Sequence, residues 1–132
     1  MSTTAYDLSW ADAKLQALNA FCKIEELAAL KPNWDSYGAP AISERALDRA
    51  MDILWTIRRS PQPRIVPTAE GGVQLEWYTA SEELEVEIRP DGNVEYLLEV
   101  VDPDSRSTEE HEGKVYDDVD VILLIPFAEA TP

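Results

Sequence analysis

The chain has 132 residues, 45% of them apolar, with 26 acidic against 11 basic side chains and a net charge of −15. These proportions predict one globular domain over residues 1–132 and exclude a disordered chain. They speak equally against direct binding to nucleic acid or to an anionic membrane, because both need clustered Lys and Arg.

In chain order, a first helix is predicted to start with Ser9 as N-cap and Asp12 three residues on as a capping-box acid. Trp10, Ala13, Ala17, Ala20, Phe21, Ile24, Leu27 and Ala28 recur at helical spacing, with Leu15 and Leu18 widening the stripe. Cys22, the sole cysteine, is expected to be a buried core residue that pairs with nothing. Pro32 ends the helix.

The next stretch, P-N-W-D-S-Y-G over 32–38, is predicted to be a structural corner. Asn33 and Asp35 can form side-chain turns, Gly38 can take the left-handed conformation, and Trp34 and Tyr37 would plug the gap between helices and sheet. A second helix follows Ser43 as N-cap, with Ile42 and Leu47 as a hydrophobic staple. Its buried stripe is read as Ala46, Leu47, Ala50, Met51, Leu54 and Ile57. Ser60-Pro61-Gln62-Pro63 stops it and closes a helical half over 8–60.

Beyond Pro63 the apolar period shortens from about four to two. Residues 64–68 read as an edge strand, because Pro67 cannot donate to a ladder. After the Gly71-Gly72 turn, Val73, Leu75 and Trp77 alternate with Gln74, Glu76 and Tyr78. Leu84, Val86 and Ile88 alternate with Glu83, Glu85 and Glu87. The Pro90-Asp91-Gly92-Asn93 hairpin signal then leads to Val94, Tyr96, Leu98 and Val100 facing in, with Glu95, Leu97, Glu99 and Val101 facing out. Residues 102–108 form a polar loop, and the poorly patterned 109–116 make a fifth strand if they pair at all. This acidic β half spans 63–116, and a short helix over 117–126, capped by Asp117 or Asp118, would present Val119, Ile122 and Leu123. The fold class is α+β: two N-terminal helices on one face of a four- or five-stranded antiparallel meander, with a short C-terminal helix.

The charge follows that division. Residues 1–60 hold 8 acids against 7 bases, whereas residues 61–132 hold 18 acids against Arg64, Arg89, Arg106 and Lys114. A nearly neutral half is joined to one of charge −14, whose natural complement is a basic protein surface. No apolar run is long enough to cross a bilayer, and the first twenty residues lack a secretory signal, so the expected compartment is the cytoplasm.

Motifs for chemistry are few. His111, the sole histidine, has no cysteine or second histidine at metal-ligand spacing and reads as an exposed loop or edge-strand residue. Asp102-x-Asp104-x-Arg106 has neither the glycine nor the terminal glutamate of a calcium loop. No phosphate loop, dinucleotide fingerprint or nucleophile elbow is present. The expectation is a protein without catalytic residues, metal or cofactor.

Strand pairing as successive hairpins would gather Glu76, Glu85, Glu87, Glu95 and Glu99 on one surface, with Tyr78 and Leu97 as apolar spots among them. These seven are the candidate partner-binding residues. Two explanations compete with a binding face: simple solubility, and coverage by the C-terminal helix. The sequence N-W-D-S-Y-G-A-P-A-I (33–42), followed by a helix and by P-R-I-V-P-T-x-x-G-G-V-x-L-E-W (63–77), resembles a family of short uncharacterised bacterial and mobile-element proteins. The likeness spans about residues 24–100 and implies a shared fold without an activity.

The function expected from these features is that of a small acidic binding protein that docks on a basic partner, such as a nucleic-acid-binding protein or complex. Inhibitor roles fit: antitoxin, immunity or anti-defence protein, imitating nucleic acid. The alternatives are a structural subunit of a larger assembly, including a homo-oligomer, or a small enzyme or ligand binder with an aromatic pocket at Trp34, Tyr37 and Trp77.

Overall fold

A computed structural model describes residues 10–126 of the chain. The elements are α1 (Trp10–Ala28), α2 (Glu44–Thr56), β1 (Arg64–Pro67), β2 (Val73–Tyr78), β3 (Glu82–Ile88), β4 (Val94–Val101), β5 (Thr108–Lys114) and α3 (Val119–Leu124). The fold is α+β, and the weakly patterned segment near residue 110 does pair as a fifth strand.

The helix α1 exists because Ala17, Ala20, Ile24 and Leu27 repeat at helical spacing and all are buried. The expected cap Ser9 lies outside the described residues. Leu15, Leu18 and Cys22, expected in the core, are instead exposed. Among the described residues α1 packs chiefly against α2 and β1, so the arc of helix they cover is narrower than its apolar stripe.

The start of α2 is fixed twice by one side chain. Ser43 Oγ accepts from the Ala46 amide at 3.0 Å and donates to the Pro90 carbonyl at 2.7 Å, tying the helix to the β3–β4 turn. Ala46, Ala50, Ile53, Leu54 and Ile57 are fully buried. Ile53 was absent from the expected stripe, and Leu47 and Met51 are only half-buried. The cause is the central position of α2, which touches α1, α3, β2 and β3 and so buries a broad arc.

The five strands form one antiparallel meander in the order β1-β2-β3-β4-β5. Leu75, Val86 and Tyr96 lie in register on the helical side, as do Trp77, Leu84 and Leu98. At Gly72 a Cβ would stand 2.3 Å from the Ile88 carbonyl, so the entry to β2 requires glycine. Tyr96 lays its ring over Gly113 of β5, filling the space a side chain would take. Leu75, Leu84, Val86, Ile88, Ile53, Leu54 and Ile57 make the fully buried centre, where each large side chain contributes about 1.5–3 kcal/mol by burial.

The last helix is turned relative to expectation. Val121 and Ile125 are buried and Ile122 is half-buried, whereas Val119 and Leu123 are exposed. The Asp117 carboxylate caps the Val119 amide, and Asp118 pairs with Arg49 of α2. Those two contacts set the rotation of α3. It packs beside α2, on the helical side, so it leaves the opposite sheet face open.

Candidate functional site

The open face of the sheet is built by strand alternation. Every residue whose neighbours i±1 point to the helices must itself point away from them. The observed register aligns three cross-strand rows. The first is Val66, Gln74, Glu87, Glu95 and Lys114; the second is Arg64, Glu76, Glu85, Leu97 and Glu112; the third is Tyr78, Glu83, Glu99 and Glu110. All seven residues expected to bind a partner therefore share this face.

The face holds eight glutamates, three more than the five expected as site residues. Glu83 alternates plainly with Leu84 and so faces outward, although it is not among the seven expected site residues. Glu110 and Glu112 come from β5, whose two faces are both largely exposed. Without a buried side there is no apolar alternation to read, which is why this strand was hard to place.

Like charges stand directly opposite one another at Glu76–Glu85, Glu87–Glu95, Glu83–Glu99 and Glu99–Glu110. Each such pair costs about 0.2–1 kcal/mol. Bases appear only at the margins. Arg89, beyond the end of β3, donates to Glu95 at 2.8 and 3.1 Å and lies 3.9 Å from Glu87. Its guanidinium is held still more firmly in the charged form by the Glu95 hydrogen bonds and the charge of Glu87. Arg64 on β1 reaches to 3.9 Å from Glu76, and Lys114 lies on the β5 edge.

The centre of the face is consequently acidic around one apolar residue. Leu97 has Glu85 and Glu112 across the ladders on either side, and Glu95 and Glu99 two positions away along its own strand. Glu85, Glu87, Glu95, Leu97 and Glu112 line a depression of about 660 Å³. Partial burial, followed by the charges of Glu76, Glu83, Glu87 and Glu99, pushes the Glu85 carboxyl above its usual value. Partial burial and the Glu76 carboxylate similarly raise the Tyr78 phenol.

Glu76 differs from the others. It is only 9% exposed, accepts from Gln74 Nε2 at 2.7 Å and faces Arg64. It orders the face from within, while Glu83, Glu110 and Glu112 are displayed to solvent.

The corner at residues 33–38 is closed by its own hydrogen bonds. Asp35 Oδ1 accepts from the amides of Tyr37 and Ala39, and Asn33 Oδ1 accepts from the amide of Gly38. Those backbone donors hold the Asp35 carboxyl below its usual value. Asn33 and Ser36 both take φ of 68°, and Gly38 takes 86°. Trp34 is half-buried against the core with Nε1 donating to the Pro40 carbonyl, but Tyr37 is 93% exposed and plugs nothing. Trp77 is buried, its Nε1 donating to the Pro61 carbonyl. Trp34, Tyr37 and Trp77 therefore do not line a common cavity.

His111 is exposed on β5, 3.9 Å from Glu109, and no cluster of metal-ligating side chains occurs among the described residues. Among the described residues no helix is long and apolar enough to cross a membrane. No family model matches the chain, and neither a curated protein nor a solved structure does.

Proposed function

We propose that the protein is a non-catalytic binding protein whose open sheet face docks on a basic surface of another protein. The observation that carries this reading is the gathering of eight glutamates on one face with bases only along its margin. Four directly opposed pairs of like charge oppose folding, and a sequence serving stability alone could relieve them with lysine. A cationic partner relieves them on contact.

Alternate residues along a strand are about 6.8 Å apart, and neighbouring strands about 4.8 Å. The former is about two base steps of a nucleic-acid strand, with one charge every 3.4 Å. Carboxylate rows of this spacing suit a groove shaped for phosphates, which favours a partner that itself binds nucleic acid. In that role the protein is an inhibitor, of the antitoxin, immunity or anti-defence kind. Leu97 and Tyr78 supply the apolar anchors that charge alone lacks.

The test is competition. The captured partner should release a labelled oligonucleotide when this protein is added, with affinity that falls steeply as salt rises. Simultaneous binding of both ligands would remove the inhibitor reading, and affinity indifferent to salt would remove the electrostatic one.

A further inference from the structure

We infer that two copies of this chain pair through their helical layers, leaving both acidic faces turned outward. The first observation is a second apolar stripe on α1. Ala11, Leu15, Leu18 and Cys22 follow one another at spacings of four, three and four, and all are exposed. That is the spacing by which one helix seats against another. Leu15 is 57% and Leu18 48% exposed, so the stripe lacks a cover among the described residues.

Beside the stripe, Phe21 stacks on Trp55 of α2 at 6.3 Å between ring centres. Trp55 is 58% exposed, and a groove of about 270 Å³ runs between it and Ala17, Leu18 and Phe21. Exposed aromatic and aliphatic residues gathered in this way mark an interface.

What identifies the occupant as a second copy is the charge at the two ends of this layer. Arg58 and Arg59 lie where α2 ends beside the first half of α1. Arg58 is already fixed there, with its guanidinium 4.2 Å above the Trp55 ring and Nη1 donating to the Trp55 carbonyl. At the other end Glu25, Glu44 and Asp48 line the second groove between the same two helices. A two-fold axis across the layer, with the helices antiparallel, sets the basic end of each copy on the acidic end of the other. The surface is self-complementary, as an isologous contact requires.

The alternative approach, through the sheets, would bring together two halves of charge −14. Helix-layer pairing places a helix and a sheet between each acidic face and the axis. At about 10 Å per layer the two faces stand roughly 40 Å apart, several Debye lengths at physiological salt. The product is a divalent particle, able to engage two basic sites on one assembly.

Sedimentation equilibrium over a range of concentrations tests this. The expected result is a rise from one chain mass to two, with R59E alone and E25R/D48R alone each weakening association at least tenfold. The combined variant R59E/E25R/D48R should recover most of the loss. Cys22 gives a second reading that needs no substitution: its alkylation rate should fall as the wild-type chain associates. A single-chain mass at every concentration, with an unchanged alkylation rate, overturns the inference. So does a dimer indifferent to these exchanges. Neither outcome touches the acidic face, whose binding is read with a different partner and different residues.

Discussion

Glu85 and Leu97 stand directly opposite each other across the β3–β4 ladder, and around them the face is otherwise acidic. A carboxylate beside an apolar side chain loses hydration without gaining a counter-charge. This is why the Glu85 carboxyl is raised, first by burial and then by its four glutamate neighbours. In the proposed docking surface the pair would join both parts, charge to steer and an apolar side chain to bury.

Replacing Glu85 by Gln should stabilise the fold at neutral pH by about 0.2–1 kcal/mol, since it removes one side of the Glu76–Glu85 opposition. Urea denaturation of the two proteins measures it. A loss of stability would mean that Glu85 is held by an attractive contact instead.

The pH dependence of that difference has a definite sign. The folded pKa of Glu85 lies above its unfolded value of about 4.5, so the folded state retains the proton more tightly. Its contribution to stability is fully present below about pH 4.5 and is lost as pH rises through the folded pKa. The advantage of E85Q should therefore shrink on acidification. Asp35 behaves oppositely. Its folded pKa is lowered from about 3.8, so its contribution is present above that value and lost as pH falls through the folded pKa. The wild type should accordingly lose its margin over D35A below about pH 4, by urea midpoints.

Leucines on opposite faces should separate folding from binding. Leu84→Ala should cost about 2–5 kcal/mol of stability, because its side chain is fully buried between sheet and helices. Leu97→Ala should cost under about 1.5 kcal/mol of stability yet weaken the partner complex at least tenfold, or about 1.4 kcal/mol. Denaturation and titration on the same two proteins read the contrast.

Ser43→Ala should lower stability by about 1 kcal/mol through the lost cap, with a further loss from the freed Pro90 carbonyl contact. Ser43→Asp restores the acceptor without the hydroxyl donor, and should recover only the capping part in thermal unfolding.

Much of the fold was legible because local signals agreed with one another. Ser43 before Ala46, Leu47 and Ala50 announced α2, and the strict alternation from Val73 to Glu99 announced three strands and the face carrying their glutamates. What escaped was set by partners far away in sequence. Ile53 is buried because α2 is wrapped on several sides, and Leu15, Leu18 and Cys22 are exposed because α1 is covered over a narrower arc. The burial of Glu76 depends on Gln74, Arg64 and Tyr78 closing around it, which no periodicity contains. Tyr37 points to solvent because the corner is held by Asn33 and Asp35 and does not need its ring.

The central claim is that the glutamate face itself makes the contact. Wild-type protein and the E85K/E87K/E95K/E99K variant, both shown folded by circular dichroism, are immobilised in parallel against extract of the source cells. The partner retained by the wild type is purified, and its affinity for each is measured at about 50 mM and about 500 mM salt. The account predicts binding by the wild type that weakens at least tenfold with salt, and none by the variant. Equal binding by the variant would contradict it.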